Sequence, residues 1–173
     1  MIPNILTTMR LALVPVFAYF MLSENPGIAV AIFILSGVTD IVDGFIARRF
    51  NMITNFGKVY DPFVDKLMQI TAVVCLVLRH TIPLWLLVFV LLKEVTMITV
   101  GGILYFKKIV VSSNKFGKLS TVIFYAGVIL LIVWDNIPKY AMTTVIAVMI
   151  VAMLTAAVYY CVDTLKNYNE KRV

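Results

Sequence analysis

Six apolar runs, at about 5–23, 27–47, 61–79, 82–106, 117–134 and 140–162, fill most of this chain of 173 residues. Each has about the length of a membrane-crossing helix, roughly 20 residues for a hydrocarbon core about 30 Å thick. None alternates apolar with polar residues, which excludes transmembrane strands. Turn-forming or charged stretches separate them: Ser23-Glu24-Asn25-Pro26-Gly27, 48–60, Arg79-His80-Thr81 with Pro83 following, 107–116, and Asp135-Asn136-Ile137-Pro138. The expectation is an all-α integral membrane protein, six transmembrane helices forming one domain over 1–173. Hydrophobic side chains make up 62% and charged ones 14%, against about 45–50% and about 25% in soluble domains. That balance excludes a soluble domain, a disordered chain and a disulfide scaffold. Cys75 and Cys161 both lie in apolar runs, without metal-type spacing. The first run lacks a small-residue cleavage site and reads as a retained helix.

Charge gives the runs a direction. Fifteen Lys and Arg stand against nine Asp and Glu. Arg10 at the N-terminal end, Arg48, Arg49, Lys58 and Lys66 around the second connection, Lys107, Lys108, Lys115 and Lys118 around the fourth, and Lys166, Lys171 and Arg172 in the tail place twelve cations on one side. The other side has Arg79 and Lys139, and Lys93 lies mid-span. Positive charge marks the cytoplasmic side, so both termini and the second and fourth connections are expected there, in a bacterial inner membrane. Nucleic acid is not an expected partner, since most of the chain would sit in the bilayer. The polar tail, 163–173, should leave the membrane as a frayed helix. His80, Trp85 and Trp134 read as interfacial residues, and Gly101-Gly102 as a site of close helix packing.

Four of the nine acids, Asp40, Asp43, Asp61 and Asp65, fall within 26 residues at the cytoplasmic ends of the second and third runs. Asp40 and Asp43 are three apart and Asp61 and Asp65 four apart, so each pair shares a helix face. Antiparallel packing of the two helices would let the pairs face each other. Carboxylates without His or Cys suit hard cations such as Mg²⁺, Mn²⁺ or Ca²⁺. Four of them could hold two ions about 3.5–4 Å apart, as in two-metal phosphoryl displacement. Gly44, Ala47 and Gly57 would let a planar base or a phosphate approach the backbone, and the fork of Arg48 suits a pyrophosphate. Three other readings stay open at this point. They are a salt-bridge network with Arg48, Arg49, Lys58 and Lys66, a small divalent-cation transporter, and a catalytically silent membrane scaffold.

Together these residues read Asp40-x2-Asp43-Gly44-x2-Ala47-Arg48-x8-Gly57-x3-Asp61-x3-Asp65. This resembles the full signature of the CDP-alcohol phosphotransferase family, with all eight fixed positions filled. Pro3-Asn4-x-Leu6-Thr7-x2-Arg10 resembles the family's N-terminal stretch, and Asp61-Pro62-x2-Asp65-Lys66 the start of its third helix. The resemblance implies that an alcohol displaces CMP from a CDP-linked lipid with the help of two divalent cations, Mg²⁺ or Mn²⁺. It implies Asp40, Asp43 and Asp61 as principal metal ligands, with Asp65 near the metals and acting as general base. Gly44, Ala47, Arg48 and Gly57 would line the CDP site. Homodimers are common in the resembled family.

The acceptor divides two branches that the chain resembles. Phosphatidylglycerophosphate synthases carry Arg-Glu in the fourth span, an Arg about eight residues later, and Gly-Lys-x-Lys-Thr opening the fifth. Here the positions read Lys93-Glu94, Gly101 and Gly117-Lys118-Leu119-Ser120-Thr121. Two cations of that pattern are absent and one is Lys, although Lys107, Lys108 and Lys115 could compensate. The expected substrates are CDP-diacylglycerol and glycerol-3-phosphate, with phosphatidylglycerol, the acceptor of cardiolipin synthases, as the alternative. Lys93, Lys107, Lys108, Lys115 and Lys118 are the acceptor-phosphate candidates; Asn4, Thr7 and Arg10 belong to the N-terminal motif or serve as caps of the first helix.

Overall fold

The computed structural model describes residues 2–23, 25–49, 57–106, 115–134 and 136–170. They form six helices: α1 (Ile2–Leu22), α2 (Pro26–Arg49), α3 (Gly57–Leu78), α4 (Leu84–Phe106), α5 (Lys115–Val133) and α6 (Lys139–Glu170). No strand occurs among the described residues, as the absence of alternation predicts. Each apolar run becomes one helix. α6 continues past its apolar run to Glu170. By length and composition, Lys139–Val162 in α6 can cross a membrane; Leu6–Leu22, Pro26–Asp40 and Gly117–Val133 are shorter apolar stretches.

Local chemistry sets the helix ends. The Ser23 hydroxyl donates back to the Tyr19 and Phe20 carbonyls at 2.8 and 3.2 Å, beside the Ser23 N–H bond that Tyr19 O accepts at 3.0 Å, and so closes the last turn of α1. Pro26 opens α2, where its missing N–H costs nothing. α3 closes on His80, which has φ 56°. The His80 N–H donates to Val77 O at 2.9 Å and the Thr81 N–H to Leu76 O at 3.0 Å. That pair of bonds around a left-handed residue is the Schellman stop, usually made by glycine. His80, expected as an interfacial residue, is therefore also a helix cap.

Packing divides the chain into two compact units, Met1–Leu87 with Leu131–Asp135, and Val88–Leu130 with Asn136–Val173. In the first, α1 packs along both α2 and α3, which touch each other little. Phe17 and Phe33 are fully buried with ring centroids 5.4 Å apart, and Met21, Ala29, Val64, Met68 and Ala72 complete this core. In the second, the Met149 side chain of α6 lies over Gly127 of α5. The same helices border an open groove lined by Leu119, Ile123, Val148 and Val151, with Ser120 and Thr155.

The distribution of polarity is inverted relative to a soluble protein. Thr7, Arg10, Ser36 and Gln69 are buried in the first unit and Glu94 and Ser120 in the second. Tyr19, Leu35, Val38, Phe63, Leu92, Val95 and Ile98 are exposed. Water would penalise both halves of that arrangement, whereas hydrocarbon penalises only polar groups turned outward.

Candidate active site

The signature residues are distributed over the end of α2 and the start of α3. α3 begins at Gly57, so Gly57, Asp61 and Asp65 follow one another at successive turns. Asp40, Asp61 and Asp65 are partly buried, and Asp40 lies within electrostatic range of both other carboxylates. The three acids thus meet within one unit. The side chains of Asn4, Asp43, Gly44, Ala47, Arg48, Gly57, Lys58 and Lys115, and all of Lys107 and Lys108, lie outside the described residues.

What brings the acids together is α1. Thr7 and Arg10, three residues apart and so on one face, are 0% and 1% exposed. Arg10 Nη1 donates to Asp40 Oδ1 at 2.6 Å, and the Thr7 hydroxyl donates to Asp61 Oδ1. One helix therefore holds a carboxylate of each neighbour. This corrects one expectation. Thr7 and Arg10 lie inside α1 and do not cap it. The expected facing of the two acid pairs is seen for Asp40 with Asp61 and Asp65, while the Asp43 side chain lies outside the described residues. Among the described residues, Arg10 brings an ion pair to the cluster from a position remote in sequence from it.

Asp65 is held from within its own helix. Gln69 Nε2 donates to Asp65 Oδ2 at 2.8 Å. Sequence reasoning passed over Gln69, although a lone amide in the stripe Val64, Met68, Ala72, Val73 is a legible anomaly.

Lys93 and Glu94, candidates for acceptor contact, form an ion pair at 2.5 Å in the second unit, with Glu94 deeply buried. Lys118 is exposed near the start of α5.

The donor chemistry of the cluster fits a hard dication, since its acids offer carboxylate oxygens. Among the described residues, no three His, Cys, Asp or Glu side chains are close enough to enclose an ion by themselves. Asp43 lies outside that set, and Arg10 and Thr7 occupy oxygens of Asp40 and Asp61.

The model of one protein family, CDP-alcohol phosphatidyltransferase, matches residues 1–159. The chain belongs to this family. Three CDP-alcohol phosphatidyltransferase relatives show the breadth of the similarity. The chain is 34% identical over 135 residues to the CDP-diacylglycerol–glycerol-3-phosphate 3-phosphatidyltransferase of Bacillus subtilis, covering 69% of this chain and 70% of that protein. It is 33% identical over 138 residues to the protein of the same name from Treponema pallidum, covering 71% and 64%. It is 39% identical over 109 residues to the cardiolipin synthase (CMP-forming) of Streptomyces coelicolor, covering 60% of this chain and about half, 51%, of that protein. The family's two glycerol-lipid branches, both foreshadowed by the positions around Lys93 and Lys118, are thus both represented.

Proposed function

We propose that this chain transfers the phosphatidyl group of CDP-diacylglycerol to a glycerol-type hydroxyl and releases CMP. The observation that carries the reading is the carboxylate cluster of Asp40, Asp61 and Asp65, gathered by Thr7 and Arg10 of α1. In this reading Asp40, Asp43, Asp61 and Asp65 hold two divalent cations, Mg²⁺ or Mn²⁺. Such ions, when bound, neutralise pyrophosphate charge and stabilise the leaving phosphate. Gly44, Ala47, Arg48 and Gly57 line the CDP site.

Asp65 is the general base. It takes the acceptor hydroxyl proton while the oxygen electron pair forms a bond to the phosphorus that carries diacylglycerol. The bond from that phosphorus to the bridging oxygen breaks, and its electron pair leaves with CMP. Thr7 and Arg10 orient the acids and do not touch the reacting atoms.

The six helices all cross the membrane, with both termini and the cluster on the cytoplasmic side. The inverted polarity supports this, as do twelve cations on one side. The acceptor is glycerol-3-phosphate. Similarity to the Bacillus subtilis and Treponema pallidum proteins supports it. Similarity to the Streptomyces coelicolor protein, with Gly101 in place of an expected Arg, favours phosphatidylglycerol as the second reading.

One experiment tests the reaction, its ions and its acceptor. Purified protein receives labelled CDP-diacylglycerol with glycerol-3-phosphate, phosphatidylglycerol, inositol phosphate or serine in parallel, with Mg²⁺, Mn²⁺ or chelator. The expected result is phosphatidylglycerophosphate and CMP, dependent on the ion and absent in Asp61→Ala. Cardiolipin as the product would replace the acceptor, and metal-independent CMP release would remove the two-ion reading.

A further inference from the structure

Gln69 is the polar residue in the buried stripe of α3 beyond the acids. Val64, Met68, Ala72, Val73 and Leu76 along that stripe are at most 1% exposed, and Gln69 is 5% exposed. A primary amide withdrawn from water carries a desolvation penalty unless its donors are used. The partner here is Asp65 Oδ2, at 2.8 Å and one helical turn away. The family signature specifies Gly57, Asp61 and Asp65 on this helix and does not reach position 69.

We infer that Gln69 is a positioning residue that fixes the rotamer of the Asp65 carboxylate for proton abstraction. The inference rests on the reading of Asp65 as general base. Three features carry it. The bond is made within one helix, so its geometry does not depend on how neighbouring helices move. An amide donor neither takes nor gives a proton, so it cannot compete for the hydroxyl proton, and it bonds most strongly to the ionised Asp65 that must accept it. The burial of Gln69 restricts its own rotamers, which makes it a fixed reference for a shorter, half-exposed side chain.

The test uses the full-length enzyme in detergent with CDP-diacylglycerol at saturating Mg²⁺. Gln69→Met keeps the length and suits the apolar stripe but cannot donate. It should fold with near-native melting and lower kcat about 10–100-fold, the usual effect of removing a group that orients a functional ligand. KM for CDP-diacylglycerol should change little, because the lost contact does not bind substrate. The antisymmetric carboxylate stretch that disappears from the infrared spectrum in Asp65→Asn should shift in Gln69→Met. An unchanged kcat in Gln69→Met, with Asp65→Asn inactive, would overturn the role of Gln69 while leaving the base in place. Full turnover in Asp65→Asn would remove the base, and the inference with it.

Discussion

Arg10 Nη1 and Asp40 Oδ1 stand 2.6 Å apart, with the arginine side chain fully buried and the aspartate 41% exposed. The guanidinium is withdrawn from solvent at the edge of an acidic cluster, where its charge offsets the repulsion among Asp40, Asp61 and Asp65. The pair ties α1 to α2 just where the signature begins.

Removing that guanidinium has two separable consequences. Arg10→Met fills much of the volume but strips the charge-assisted bond, at a cost of about 1.5–3 kcal/mol. Turnover should fall by more than stability alone explains, since Asp40 loses its anchor. Arg10→Lys should rescue only part of it, because an ammonium lacks the planar fork. Thermal melting and kcat, measured on the same preparations, separate the two effects.

Thr7 performs the corresponding task for Asp61. Thr7→Val keeps the shape and deletes the donor, leaving a partly buried carboxylate short of one bond; the expected loss is about 1–2 kcal/mol. Thr7→Ser retains the hydroxyl and should keep most activity. If valine and serine variants turned over equally, the hydroxyl would have no part in ordering Asp61.

The helices, the acid cluster and the family were all legible in the sequence because each rests on local pattern: run length, carboxylate spacing, glycine positions. The partners of the acids were not. Arg10 lies 30 residues before Asp40, and Thr7 lies 54 before Asp61. No periodicity reports which helix fills the space beside α2 and α3. The N-terminal motif did flag both residues, but without a tertiary partner they read as caps. Gln69 was missed for a different reason, since one amide in an apolar run barely alters the hydropathy that defines a span. The side chains of Asp43 and Arg48 lie outside the described residues, so their places in the cluster rest on sequence alone.

His80 offers a gain of stability without a change in function. Its left-handed backbone, φ 56°, strains a side chain that carries a Cβ. His80→Gly should relieve that strain at a position that already has glycine geometry. The expected gain is about 0.5–1 kcal/mol, partly offset by the greater freedom of glycine in the unfolded chain. Melting temperature should rise with kcat unchanged. A fall would mean that the imidazole makes an interaction worth more than the backbone strain.

Gly127 and Met149 give a graded test of packing between α5 and α6. A Cβ at Gly127 would fall 2.5 Å from Met149 Sδ and 2.8 Å from Met149 Cγ. The sulfur end of Met149 can swing aside, but the Cγ contact sits closer to the α6 backbone and yields less easily. Gly127→Ala also gains about 0.8–1 kcal/mol of helix propensity, so its net effect should be small. Gly127→Leu gains nearly as much propensity but must fit a much larger side chain against Met149, and should cost about 1–3 kcal/mol through overpacking. Met149→Ala opens the space, so the double variant Gly127→Leu, Met149→Ala should recover part of the loss. Melting of the parent protein, Gly127→Leu, Met149→Ala and the double variant forms a double-mutant cycle, and strict additivity would show that the two residues do not meet in the folded protein.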